Sequence, residues 1–95
     1  MPLTILAHVT AHDGQEQAVH AALKKLQAAS RTEKGCIRYD MHIDNTDPRH
    51  IVFYEIWETR DLWLDHMKAP HLIAHQAETE KTIASVDLYE LTRTD

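Results

Sequence analysis

Cysteine occurs once in these 95 residues, at Cys36, and glycine only twice, at Gly14 and Gly35. A single thiol allows no intrachain disulfide and no CxxC metal or redox motif, which suits a reducing cytosol. Two glycines cannot write GxGxxG or a Walker loop, because both use several to bring backbone N–H groups against phosphate. Nucleotide cofactors are therefore not expected. Basic residues are also scarce: 10 Lys+Arg stand against 15 Asp+Glu, a net charge of -5. With no basic cluster denser than Lys24-Lys25, nucleic acid is not an expected partner. Long apolar runs are missing too. The opening MPLTILAHVTAHDG is too short and too interrupted by His8 and His12 for a signal peptide or a membrane span. The expectation is one soluble cytoplasmic domain over residues 1–95, with a thin folding margin unless a partner buries more surface.

What is present is clear patterning. LTILAHVTA, Leu3 to Ala11, alternates Leu3, Ile5, Ala7, Val9 and Ala11 against Thr4, Leu6, His8 and Thr10, and predicts a first strand. Asp13 and Glu16 then write D-x-x-E, a capping box, ahead of Val19, Ala22, Leu23, Leu26 and Ala29 at helical spacing. A helix is predicted from about Gly14 to Thr32. After Gly35, IRYDMHI sets Ile37, Tyr39, Met41 and Ile43 against Arg38, Asp40 and His42, as a half-buried second strand would. The polar loop DNTDPRH, Asp44 to His50, leads into IVFYEIW, Ile51 to Trp57. This third strand carries Ile51, Phe53 and Trp57 with Glu55 on one face and Val52, Tyr54 and Ile56 on the other, so both faces should be buried.

Thr59 is a plausible N-cap for a short helix in TRDLWLDHMK, and Pro70 restarts a helix predicted from about His71 to Ala84. VDLYELTRT, Val86 to Thr94, reads as the fourth strand. The order βαββααβ predicts an α+β, ferredoxin-like fold with a four-stranded antiparallel sheet covered by helices on one face. A third strand apolar on both sides then needs a second cover, and no helix is left to supply it. A homodimer packed sheet against sheet is expected, burying Tyr54 and Ile56.

The stretches LAHVTAHDGQE, KGCIRYDMHIDNTDP, FYEIWET and DHMKAPHLIAH resemble, in order, the antibiotic biosynthesis monooxygenase (ABM) domain, specifically its short quinol-monooxygenase-like members. The resemblance covers nearly the whole chain. It implies a dimeric α+β barrel and oxidation of hydroquinones or polycyclic phenols by O2 without flavin, haem or metal. Related domains also isomerise small carbonyl compounds, degrade haem, or have no established reaction, so fold does not settle function. The haem-degrading branch uses an Asn, Trp and His constellation. This chain has Ala7-His8 where the Asn is expected and His66 at the helix position expected for Trp, which argues against haem.

His66 follows Leu62 by four residues on a helix whose apolar side includes Trp63 and Met67, so it should face the sheet. It is either a core histidine or, with the family motif, a pocket acid/base. His71 lies in the first turn after Pro70, where the helix dipole disfavours imidazolium. Periodicity puts His71, His75, Glu78 and Thr82 on a solvent stripe, whereas the resemblance pairs His71 with His66 at a pocket rim. His75, His12, His20 and His50 are read as solvated. His71 and His75 could bind metal at i, i+4, but HLIAH lacks the Glu of HExxH and specifies no third ligand, so no metal is expected. Glu55 is the one ionisable group on its apolar face and needs a partner or a raised pKa. Tyr39 is a core aromatic or a hydrogen-bond donor to a substrate oxygen. Phe53 and Trp57 are expected in a core or pocket wall, and His8 at the pocket or the dimer interface. The functional expectation is a cofactor-independent monooxygenase acting on a small hydroquinone or phenol with O2. Its rivals are an isomerase using the same histidines, and a non-catalytic dimer that binds a small apolar ligand.

Overall fold

A computed structural model describes all 95 residues. The chain runs β1 (Leu3–Ala11), α1 (Glu16–Ser30), β2 (Cys36–Ile43), β3 (His50–Trp57), α2 (Arg60–Met67), α3 (Pro70–Glu78) and β4 (Ile83–Leu91). The strands form one antiparallel sheet in the order β2-β3-β1-β4, the ferredoxin-like arrangement that the element order predicts. No helix is long and apolar enough to cross a membrane.

The alternation in β1 becomes a division between the two faces of the sheet. Ile5, Ala7, Val9 and Ala11 are buried beside Ile51, Phe53 and Trp57 of β3, where Val19, Leu23 and Leu26 of α1, Trp63 of α2 and Leu72 of α3 meet them. Each large aliphatic or aromatic side chain removed from water there contributes roughly 1.5–3 kcal/mol. On the opposite face Leu6, His8, Val52, Tyr54 and Ile56 are only half-buried, because no element of the chain lies over them. The expectation that both faces of β3 are buried therefore holds for one face within a single chain.

Several boundaries differ from the sequence expectation. Gly14 adopts φ +80, outside the helical region, so α1 begins at Glu16 with Gln15 as N-cap, and the expected Asp13–Glu16 capping box does not form. In β2 the register shifts between Cys36 and Arg38, which turns Ile37 out to solvent while Tyr39 stays in the core. Helix α3 ends at Glu78, not Ala84. The backbone N–H groups of Thr82 and Ile83 both donate to the Thr79 carbonyl, forming a turn that frees Ile83 to pair with Ala11 of β1. The fourth strand accordingly starts at Ile83 and ends at Leu91. Thr59 does cap α2, its side chain accepting from the Leu62 N–H, and Pro70 opens α3.

Candidate active site

A cavity of about 270 Å³ lies between the sheet and the helices. Its walls are mainly apolar, from Ala7, Val9, Leu23, Leu26, Phe53 and Trp63, and the polar side chains of Tyr39, Glu55, His66, His75, Gln76, Thr79 and Glu80 join them. Its mouth is bordered by Val86 and Leu88 of β4, which are 52% and 43% exposed. An apolar cavity of about 150 Å³ already accommodates benzene, so there is room for a substituted aromatic ring.

His66 is buried on the inner side of α2, 3% exposed. Its ring packs against Trp57 at 4.7 Å and edge-on to Tyr39 at 5.5 Å between centroids. Its Nδ1 lies 2.6 Å from Oε2 of Glu33, and Nε2 of His71 lies 2.8 Å from the same oxygen. An ionised carboxylate only accepts, so each of these ring nitrogens carries the proton it donates. Neutral His66 then holds its lone pair on Nε2, which has no hydrogen-bond partner in the protein and is not sealed in the interior. Burial lowers the His66 pKa, partly offset by the hydrogen bond and charge of Glu33, and so favours the neutral base.

Glu33 carries no sequence signal of its role. It sits in the α1–β2 loop, 33 residues from His66 and 38 from His71, and no local periodicity marks it. The loop is held by turn hydrogen bonds from Glu33 N to Ser30 O and from Cys36 N to Glu33 O. Gly35 at φ +86 presses the loop backbone against Leu62 of α2, where a Cβ would lie 2.5 Å from Leu62 Cδ1. The carboxylate and the histidine it holds are thus joined through one tight backbone contact.

The remaining candidates separate. Phe53, Glu55 and Tyr39 share the cavity with His66. Trp57 is fully buried behind that wall and donates its Nε1–H to Glu55 Oε1 at 3.0 Å. Burial raises the Glu55 carboxyl to about 7, opposed by the Trp57 hydrogen bond and reinforced by the charge of Glu33. Burial also raises the Tyr39 phenol, with Glu55 adding to the effect, so Tyr39 is a hydrogen-bond donor rather than a base. His71 stays at the outer edge beside Glu33, partly exposed and not lining the cavity. His8 lies on the opposite, uncovered sheet face, bonded through Nδ1 to His50 Nε2 at 2.8 Å, so it does not border the cavity.

Three histidines expected in solvent are not fully there. His20 is half-buried, its Nε2 2.7 Å from the Pro48 carbonyl oxygen. His50 is half-buried between His8 and Asp44, whose carboxylate lies 2.9 Å from its Nδ1. His75 turns inward with Leu72 and Thr79, lines the cavity, and leaves its buried Nδ1 without a partner. Burial lowers its pKa as well. The polar stripe failed because α3 is short and its inward side carries a histidine in place of a third aliphatic residue, with Ile73 left exposed.

The family model for antibiotic biosynthesis monooxygenase matches residues 2–78. The chain belongs to this family. Among solved structures, the ABM domain resembles PA3566 from Pseudomonas aeruginosa at 31% identity and a TM-score of 0.94, covering 99% of this chain and 95% of that one. Rv0793 from Mycobacterium tuberculosis shares the fold at 22% identity and a TM-score of 0.91, over 100% of this chain and 97% of the other. The Synechocystis protein sll1783 is 24% identical over 70 residues, 74% of this chain, and the match spans about half of that longer relative, 48%.

Proposed function

We propose that this ABM domain is a cofactor-independent monooxygenase that oxidises a small hydroquinone or phenol with O2. The observation that carries the reading is the pairing of Glu33 with His66 at the wall of an apolar cavity, which leaves the His66 Nε2 lone pair without a protein partner. In the reaction His66 Nε2 takes a proton from a phenolic hydroxyl, and Glu33 stabilises the resulting imidazolium through Nδ1–H. The phenolate transfers an electron to O2 directly. Recombination of the two radicals forms a C–O bond to a ring carbon; that carbon then loses its hydrogen as a proton while the O–O bond breaks, so one oxygen atom stays in the quinone product and the other, protonated, leaves as water. Tyr39 donates to the substrate oxygen, Phe53 and Trp63 hold the ring, and the apolar walls keep competing water away. Glu55, near half-protonation at neutral pH, returns a proton to the reduced oxygen.

In this reading two copies pack through their uncovered sheet faces, burying Leu6, Val52, Tyr54 and Ile56. A cytosolic setting suits the free Cys36.

The test is oxygen consumption by chelator-treated protein across a panel of hydroquinones and phenols. Uptake that rises with enzyme and falls in His66→Ala supports the assignment; uptake no faster than autoxidation removes it. A second reading draws on Glu55, since a carboxyl near neutrality in the same cavity as a neutral imidazole also suits moving a proton beside a carbonyl. Such an isomerase would exchange solvent deuterium into its substrate without O2.

A further inference from the structure

We propose that Glu33, His66 and His71 form a binding site for a divalent transition cation of the zinc class, set behind the cavity wall. Their donor atoms, one carboxylate oxygen and two imidazole nitrogens, all lie within 4.8 Å of one another. Both nitrogens already converge on one point, Glu33 Oε2, at 2.6 and 2.8 Å. Around a tetrahedral ion with bonds of about 2.0–2.1 Å, donors stand about 3.3 Å apart, so Glu33 Oε2 would withdraw from each nitrogen by under about 1 Å while the two imidazoles adjust about the ion. Two imidazoles and one carboxylate suit zinc, cobalt, nickel or ferrous ions and not magnesium or calcium, which take oxygen ligands.

The framework is built before any ion arrives. His66 is fixed by the Thr59-capped α2, His71 follows the Pro70 that opens α3, and Glu33 sits on the loop that Gly35 locks against Leu62. Glu33 and His71 are partly exposed, 16% and 30% at their side chains, and neither lines the cavity. The open coordination position therefore faces solvent and not the substrate. His66 is the shared wall, with Nδ1 toward the ion and Nε2 on the cavity side. A cation on Nδ1 takes the place of the proton that bonds Glu33, so the neutral ring keeps its one proton on Nε2 and has no lone pair there to accept a phenolic proton. The site is thus an inhibitory one. That last consequence rests on His66 being the base proposed above; the binding itself does not.

The experiment is calorimetric titration of tag-free, chelator-treated protein with Zn2+, and with Co2+ followed by its visible absorption. One ion per chain is expected, with a Kd on the order of micromolar and a cobalt band characteristic of low coordination number. His71→Ala and Glu33→Gln, both at partly exposed positions and checked for folding by circular dichroism, should each weaken binding at least about tenfold. His12→Ala and His20→Ala, on other surfaces, should leave it unchanged. Binding no tighter than millimolar, binding indifferent to His71→Ala, or equal loss in the His12 and His20 variants overturns the site. If zinc binds as expected but no substrate is oxidised, the site stands and the monooxygenase reading falls. If oxidation occurs and bound zinc leaves it unchanged, the inhibitory coupling is overturned.

Discussion

His66 Nδ1 and Glu33 Oε2 meet at 2.6 Å, a contact that joins the inner face of α2 to a loop 33 residues earlier in the chain. The bond fixes both the tautomer and the tilt of a ring whose other nitrogen is unpaired. Loss of the carboxylate should act on turnover and not on substrate binding. Glu33→Ala is expected to lower kcat with a hydroquinone by about 10–100-fold while the Kd of an unreactive analogue changes little. His66→Ala should cost about 10²–10⁴-fold. Stopped-flow turnover with parallel fluorescence titration checks both, and a Glu33 variant with full kcat would remove the dyad from the mechanism.

Glu55 sets a pH dependence of stability with a definite sign. Its folded pKa, about 7, lies above the ordinary value of 4.5, so the folded state holds the proton more tightly than the unfolded chain. Stability from this group is complete below about pH 4.5 and is lost as pH rises through 7. At pH 8 the buried carboxylate costs at most about 3 kcal/mol. Glu55→Gln keeps an acceptor for Trp57 Nε1 and removes the charge. Urea unfolding should show it more stable than the parent at pH 8 and nearly equal at pH 4.5.

Gly35 offers a purely steric test. Alanine there would need φ +86 and would put its Cβ 2.5 Å from Leu62 Cδ1 and 2.8 Å from Leu62 Cβ, so the helix itself must shift. Left-handed strain and overpacking together should cost about 2–4 kcal/mol. Because the shift separates α2 from the Glu33 loop, Gly35→Ala should also reduce turnover in the surviving folded fraction. Chemical denaturation with activity normalised to folded protein measures both effects.

The uncovered sheet face predicts association. Light scattering coupled to size exclusion should give twice the 11.0 kDa chain mass at micromolar concentration. Ile56→Asp, in the half-buried row on β3, should yield monomer with native circular dichroism. A monodisperse wild-type monomer rejects the pairing.

The legible parts of the fold were those where one signal decides the outcome. Strict alternation in β1 identified its buried face, and Thr59 with Pro70 marked where two helices start. The end of α3 was misread because Thr79 to Thr82 has no glycine or proline to stop a helix; the turn there is closed by hydrogen bonds to the Thr79 carbonyl. Ile37 was misassigned because a bulge shifts register without any change in the alternating pattern. At the site, His66 could be placed from its own helix. Glu33 could not, since its partners are remote in sequence, and His75 could not, since helical spacing cannot say which polar residue a cavity will accept.

β4 has only one hydrogen-bonded neighbour, β1, and every residue from Ala84 to Leu91 is exposed in the single chain. Its amides should exchange with deuterated solvent long before those of β1 and β3, since strands with few packed neighbours open in local excursions that leave the rest of the sheet intact. The rim of the cavity is therefore its softest wall. For a substrate of the proposed kind, transient fraying of this strand would open the cavity without a dedicated lid, and anything that secures the strand would slow amide exchange and substrate escape together.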